Sequence, residues 1–117
     1  MPYSSLMKAA LNHRLALIAA LVLAGFSAAF AQTAQDYYDQ GLRFMAYREF
    51  DQAITALTAA IQLDPNHVGA YFYRGHAYLE EKDINRAIAD WEAVLRIDPT
   101  NENARKILEL VRQKTGR

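Results

Sequence analysis

The sequence predicts an all-α protein in which helical hairpins stack side by side as a solenoid. Three observations predict this fold: a set of residues recurs after 34 positions, apolar residues within each copy follow helical spacing, and an Asp-Pro pair closes each copy. Fixed periods of about 20 to 50 residues are typical of solenoids, in which each unit buries its apolar face against a neighbour. The recurring residues are Tyr37, Gly41, Ala53, Ile54, Ala59, Asp64 and Pro65, matched by Tyr71, Gly75, Ala87, Ile88, Ala93, Asp98 and Pro99.

The first copy, about residues 34–67, is predicted to contain two helices. Apolar residues are spaced by three and four over 34–47 and again over 50–63, whereas a half-buried strand would alternate them. Pro65 ends the second helix because proline cannot continue the hydrogen-bond ladder, and Asn66 tolerates turn geometry.

The second copy, about residues 68–101, repeats this plan with helices predicted near 68–81 and 84–97. Asp83 is suited to accept hydrogen bonds from the free amides that open the second of these helices. A fifth helix, about 102–114, has one apolar face and one charged face. This polar outer face predicts a cap, which a solenoid needs at its end.

Small residues recur where paired helices must approach closely. Gly41 and Gly75, together with Ala53 and Ala87, leave room for a neighbouring helix. Large side chains beside small ones let an interior reach high packing density. The large side chains expected around these contacts are Tyr37, Phe44, Leu57, Tyr71, Tyr78 and Trp91.

Residues 1–31 are predicted to be a secretory signal peptide, and residues 32–117 the repeat domain. Lys8 and Arg14 precede an apolar stretch over residues 15–26, and small residues precede a cleavage point after Ala31. The apolar stretch is shorter than the roughly 20 residues that a spanning helix needs. The predicted location is therefore the bacterial periplasm or the extracellular space.

An uncleaved signal is the alternative. The uncharged run lengthens when residues 15–31 are counted together, and it then comes near the lower limit for a membrane span. The domain would then be anchored in the membrane and face the periplasm. Translation from Met1 or from Met7 would leave either interpretation intact.

Charge and cysteine content exclude several classes of function. The chain has 13 basic and 13 acidic residues and no cysteine. A nucleic-acid partner requires a clustered excess of Lys and Arg, which the sequence lacks. Disulfides, thiolate metal ligands and cysteine nucleophiles are excluded as well. Without residues 1–31, which contain two basic residues and no acidic one, the chain would have 11 basic and 13 acidic residues.

The run over residues 71–101, YFYRGHAYLEEKDINRAIADWEAVLRIDPTN, resembles a tetratricopeptide repeat, and residues 35–66 resemble a second copy. The aromatic, glycine, ring, alanine and proline positions of the family are all occupied. Leu57 and Val94 depart from its commoner aromatic and alanine. The matching residues are Tyr37 and Tyr71, Gly41 and Gly75, Phe44 and Tyr78, Ala53 and Ala87, Pro65 and Pro99.

The resemblance implies right-handed stacking of hairpins, with the first helix of each lining a concave groove. An aromatic and aliphatic groove suits an extended or helical peptide with apolar anchors. The alternative is that Phe72 and Leu79 belong to the core. The groove residues that the resemblance implies are Tyr38, Leu42, Met45, Phe72, Tyr73, His76 and Leu79.

Some members of the family hold a partner's C-terminal carboxylate with a lysine and asparagines. The matching positions here carry other residues, so the resemblance implies no such clamp. Those positions are occupied by Tyr38, Asp39, Leu42, Phe72, Tyr73 and His76.

No metal or cofactor site is predicted. His76 and Glu80 lie one helical turn apart, but a zinc site needs three or four ligands. A groove-lining role for His76 is the better interpretation. His67, next to a turn, is expected on the surface.

No catalytic pair is predicted either. The carboxylates Asp90 with Glu92, and Glu80 with Glu81, are near neighbours on helices and point in different directions. Acid and base groups must converge on one reacting bond. Solvated helix faces are therefore expected at these positions, and no small-molecule substrate is implied.

The sequence thus predicts a non-catalytic protein-interaction module or scaffold of the bacterial envelope. A membrane-anchored scaffold and an enzyme or ligand carrier that uses His76 are the alternatives. Because two repeats bury little surface, the ends of the stack are expected to contact a partner or a second copy. The expected contacts are the face over residues 35–47 and the face that carries Ile107 and Val111.

Overall fold

The computed structural model describes residues 7–20 and 31–116. The chain divides into two units, Met1–Ala31 and Gln32–Arg117. In the first unit, residues 7–20 are helical. Residues 1–6 and 21–30 of the predicted signal segment lie outside the described residues, so the signal peptide and its cleavage stay predictions. None of the described helices combines the length and the apolar character that crossing a membrane requires.

The second unit is built from five helices, and residues 31–116 contain no strand. Each helix packs on the next along the chain, and the first also contacts the third. This confirms the predicted stack of two hairpins followed by one further helix, with helix ends within one residue of those predicted. The helices are α1 (Ala34–Ala46), α2 (Phe50–Leu63), α3 (Val68–Glu80), α4 (Ile84–Ile97) and α5 (Glu102–Thr115).

The residues that cap α1, α3 and α5 recur with the 34-residue period of the sequence. Thr33, His67 and Asn101 stand immediately before α1, α3 and α5, and each follows the last by one full period of the repeat. The side chain of each accepts a hydrogen bond from the backbone N–H three residues later, at 2.9 to 3.1 Å. Such capping bonds satisfy amides that have no partner within the helix. α5 therefore begins as the first helix of each hairpin does.

The turns after these helices are also repeated. Arg48, Lys82 and Gly116 have φ values of 60°, 67° and 70°, in the left-handed region. A residue with a Cβ atom adopts this conformation at a cost of roughly 1–2 kcal/mol, which glycine avoids. The same left-handed turn therefore follows α1, α3 and α5. Both the start and the end of α5 thus match those of the first helix of a hairpin.

Close approach within each hairpin depends on its glycine. A Cβ atom built on Gly41 would lie 2.7 Å from Leu57 Cγ, and one built on Gly75 would lie 2.7 Å from Trp91 Nε1. Leu57 and Trp91 are completely buried. The predicted role of both glycines is therefore confirmed, since any side chain there would displace the largest residues of the core.

Asp90 corrects a prediction, because its carboxylate is buried rather than solvated. Only 5% of the residue is exposed. Arg74 Nε donates to Asp90 Oδ2 at 2.8 Å and Arg74 Nη2 donates to Asp90 Oδ1 at 2.7 Å, while Nη1 donates to Thr58 Oγ1 at 3.1 Å. The hydrogen bonds with Asp90 raise the pKa of Arg74. Helix-neighbour reasoning could not find this partner, which lies on α3 and not on α4.

The face of α5 that carries Ile107 and Val111 also differs from expectation. Val111 is 8% exposed and belongs, with Leu108, to the buried cluster around Trp91, against which Ile107 packs. This face is therefore occupied within the domain and is not available to a second copy. The exposed apolar residue of α5 is Leu110.

We expect Asp90→Ala to destabilise the domain by about 3–5 kcal/mol, because Arg74 would keep a buried charge without its partner. Urea unfolding followed by circular dichroism measures this change. Glu92→Ala is the matched control: it removes the partner of Arg112 from an exposed pair, where the expected cost is about 1 kcal/mol or less. Equal destabilisation by the two substitutions would contradict the importance of the buried pair.

Candidate functional site

Four of the predicted groove residues form one aromatic cluster across α1 and α3. The ring centroids of Tyr38 and Tyr73 are 6.2 Å apart. Phe72 lies 5.4 Å from Tyr73 and 4.8 Å from His76, both in edge-to-face geometry. These separations are within the range that favours aromatic pairs. The first helices of the two hairpins are therefore joined by ring contacts on this face.

The remaining groove residues lie on the same helix faces. Leu42 and Met45 follow Tyr38 on α1 at helical spacing, and Leu79 follows His76 on α3. All three are half-buried, whereas Tyr73 in the cluster is 36% exposed. The structure thus leaves a partly accessible, mostly apolar surface along α1 and α3.

Phe72 and Leu79 lie between this surface and the core. Both pack against the buried cluster that contains Trp91 and Leu108, and both remain partly exposed. The backbone carbonyl of Phe72 accepts a hydrogen bond from Trp91 Nε1 at 3.1 Å. One side of each residue therefore packs in the core, as the alternative expected, and the other side is part of the accessible surface along α1 and α3.

His67 corrects a further prediction, since it is half-buried and contributes to the cluster. Its ring centroid is 4.6 Å from that of Tyr38, and its Nδ1 accepts the N–H of Ala70. A Cβ atom on Gly69 would lie 2.9 Å from Tyr38 Oη, so glycine lets the tyrosine lie across the start of α3. The alignment of Thr33, His67 and Asn101 was the signal in the sequence that could have identified His67 as a helix cap.

His76 is half-buried and packs against two rings. Its ring centroid lies 4.8 Å from Phe72 and 5.4 Å from Trp91. Burial lowers the pKa of His76 below 6.5, and the charge of Glu80 acts in the opposite direction. Glu80 lies 3.5 Å from Arg48. Within the described residues, no group of three or more His, Cys, Asp or Glu residues could hold a metal ion.

Another surface with a pocket lies on the first hairpin, between α1 and α2. It has a volume of about 370 Å³. It overlaps the face over residues 35–47 that was expected to contact a partner or a second copy, and that contact stays a prediction. The surface is lined by Tyr37, Gln40, Phe44, Asp51, Gln52, Thr55, Ala56 and Ala59.

A family model described as tetratricopeptide repeat matches residues 38–102, more than half of the chain. Among curated proteins, peptidyl-prolyl cis-trans isomerase FKBP4 of Mus musculus is 37% identical over 68 residues, which is 58% of this chain and 15% of that protein. The chloroplastic tetratricopeptide repeat domain-containing protein PYG7 of Arabidopsis thaliana is 33% identical over 72 residues, 62% of this chain and 24% of that protein. The chain thus matches only a small part of these relatives.

Solved structures show the same arrangement of helices. A crystal structure of MamA matches with a TM-score of 0.70 and 28% identity, over 72% of this chain and 49% of that one. The second tetratricopeptide repeat domain of human RPAP3, in complex with the HSP70 peptide SGPTIEEVD, matches with a TM-score of 0.67 and 27% identity, over 74% and 72% of the two chains. The tetratricopeptide repeat domain of Arabidopsis OM64 matches with a TM-score of 0.68 and 28% identity, over 70% and 68%.

We expect the pKa of His76 in the folded protein to be below 6.5, because burial disfavours the charged imidazolium. The unfolded chain then binds more protons, so this residue lowers the stability of the fold as the pH falls from about 6.5 towards the folded pKa. An NMR titration of the His76 ring protons measures the pKa. In His76→Gln, the loss of stability that His76 causes as the pH falls below about 6.5 should disappear. A midpoint at or above 6.5 would contradict the burial of the ring.

Proposed function

The chain belongs to the tetratricopeptide repeat family, and we propose that it is a non-catalytic interaction module that binds a peptide segment of another protein along α1 and α3. The observation that carries this proposal is the partly exposed aromatic cluster that joins the two helices. The ring of Tyr73 lies 6.2 Å from that of Tyr38 and 5.4 Å from that of Phe72, measured between centroids. A peptide is the ligand to which the RPAP3 domain of similar fold is bound.

Physical chemistry favours a peptide as the occupant of this surface. Tyrosine offers a large apolar contact area together with a hydroxyl group, and aromatic residues contribute disproportionately to binding at protein interfaces. The seven groove residues extend over both helices and would meet several side chains of an extended or helical segment. His76 and the tyrosines can also exchange hydrogen bonds with a peptide backbone.

The same surroundings disfavour catalysis at His76. A histidine that acts as a base is oriented by a hydrogen-bonded third group and lies next to a nucleophile. Here the imidazole packs against the rings of Phe72 and Trp91, and Glu80 pairs with Arg48. We therefore propose that His76 contributes shape and a polar atom to the groove.

We further propose that the domain is exported. The support is in the sequence: Lys8 and Arg14 are followed by an apolar stretch over 15–26 and by small residues up to Ala31. Cleavage would release the repeat domain into the periplasm or the medium. Retention of residues 15–31 would instead tether it to the membrane, where it would act as a scaffold facing the periplasm.

We expect Tyr73→Ala to weaken peptide binding by tenfold or more, because it removes the most exposed ring of the cluster. Peptides selected from a phage-displayed random library on the wild-type protein serve as probes, and fluorescence anisotropy gives Kd. The control is Tyr47→Ala at the turn after α1, where a 76% exposed ring lies outside the groove set and a change below twofold is expected. Equal effects of the two substitutions on every selected peptide would place binding elsewhere.

We expect the mature protein to begin at Gln32 when the complete sequence is expressed in a bacterium with a Sec pathway. Mass spectrometry of the protein from the periplasmic fraction identifies the first residue. An intact Met1 or Met7 in the membrane fraction would support the anchored alternative. Full-length protein confined to the cytosol would contradict export in either form.

A further inference from the structure

α5 continues the face that α1 and α3 contribute to the groove. Its cap, its first residue and its terminal left-handed turn all follow those of α3 by one full period of the repeat. Its buried positions follow the same register: Ala104 corresponds to Ala70, and Val111 to Ala77, and all four are buried. Because equal positions point in equal directions in equivalent helices, the groove face of α5 can be identified from that of α3.

The groove positions of α3 correspond to Lys106, Ile107, Leu110 and Gln113 of α5, of which Ile107 packs against the core. Lys114 lies next to this face, one turn beyond Leu110. Lys106, Leu110 and Lys114 correspond to Phe72, His76 and Glu80 of α3. They are spaced by four residues and therefore share one side of the helix. All three are exposed, and Leu110 is 55% exposed. At these positions α1 carries Tyr38, Leu42 and Ala46, and α3 carries two rings and the Glu80 carboxylate, whereas α5 offers an aliphatic residue between two ammonium groups.

The two lysines differ from the arginines of the same helix in their ion pairs. Arg105 pairs with Glu102 at 2.8 Å and Arg112 pairs with Glu92 at 2.6 Å. Among residues 7–20 and 31–116, no carboxylate lies within 4 Å of Lys106 or Lys114. Within this part of the chain, the positive charges of α5 that have no carboxylate partner are therefore those of Lys106 and Lys114, on or beside its groove face.

At the opposite end of the groove, α1 carries an acidic residue beside its rings. Asp39 is exposed on α1 next to Tyr38, and its Oδ1 accepts a hydrogen bond from the neutral side chain of Gln35 at 2.9 Å. Along this side, α1 thus offers Asp39 and, one turn later, Arg43, α3 offers its rings and the Glu80 carboxylate, and α5 offers two lysines. Complementary charge mainly determines which ligand binds, and in which direction, rather than how tightly it binds.

We propose that α5 forms a basic wall of the groove and that the partner is an acidic peptide segment, in which an apolar residue that contacts Leu110 is flanked by Asp or Glu residues that meet Lys106 and Lys114. This inference rests on the proposed function, because it requires the groove along α1 and α3 to bind a peptide. It adds the chemical class of that peptide and the helix that selects it.

Selection from one library on different variants tests the proposal. The same phage-displayed library of short random peptides is selected on the wild-type chain and on Lys106→Glu/Lys114→Glu. Peptides from the wild type are expected to be enriched in Asp and Glu beside an apolar residue, and this enrichment should be lost, or replaced by Lys and Arg, on the variant. The charges are exposed, so the substitutions should leave the fold intact.

Binding of the wild-type peptides is then measured on matched variants. Lys106→Glu/Lys114→Glu should raise Kd about tenfold at low salt, and Leu110→Ala several-fold. The control Lys82→Glu/Arg96→Glu makes the same change in net charge at positions outside the groove face and should change Kd less than twofold. The difference should shrink at about 1 M salt, where charges are screened beyond about 3 Å.

The outcomes separate the two proposals. One outcome would overturn the basic wall but not the groove. In it, the peptides lose binding in Tyr73→Ala, show no acidic enrichment, and are no more sensitive to charge reversal at α5 than to the control substitutions. Peptides that bind equally well to Tyr73→Ala, or a library that yields no binder on the wild type, would overturn the groove and the basic wall together.

Discussion

The contact on which the structure depends is the close approach of α3 and α4 at Gly75. The absence of a side chain there lets the indole of Trp91 lie against the α3 backbone, where a Cβ atom would be only 2.7 Å from Nε1. The same indole donates to the carbonyl of Phe72 and lies 5.4 Å from the ring of His76. One buried residue therefore both completes the core and fixes the backbone that carries the groove.

The buried ion pair has a different role, which is to select one arrangement of the hairpins. Arg74 is bonded to Asp90 in its own hairpin and to Thr58 in the preceding one. A buried pair gains little net stability over well-packed apolar residues, because both charges lose their hydration. A displacement of either helix by one turn would leave the guanidinium unpaired, however. With only two complete hairpins among the described helices, such a penalty against misalignment matters more than it would in a long array.

The sequence predicted the parts of the fold that depend on local rules and on the period. The helices, the turn prolines and the role of both glycines follow from the spacing and types of the recurring residues, whereas the face of α1 and α3 that carries the rings was implied by the resemblance to the repeat family. It failed for Asp90, His67 and Val111, whose partners lie on other helices. The partner of Asp90 is 16 residues away on α3, a distance that no rule for helix neighbours reaches. The lysines of α5 became interpretable only once its register with α3 was known.

Burial separates the residues that can be altered for function from those that maintain the fold. Phe72 and Leu79 contact the cluster around Trp91, so a change in either would disturb the core and the groove at once. Tyr73 and Leu110 are among the exposed large apolar residues, and their solvated areas contribute little to folding. Exposed apolar groups on a small domain favour association, which natural surfaces limit unless they serve it. The exposure of both residues on equivalent helices therefore supports the proposed binding of a ligand.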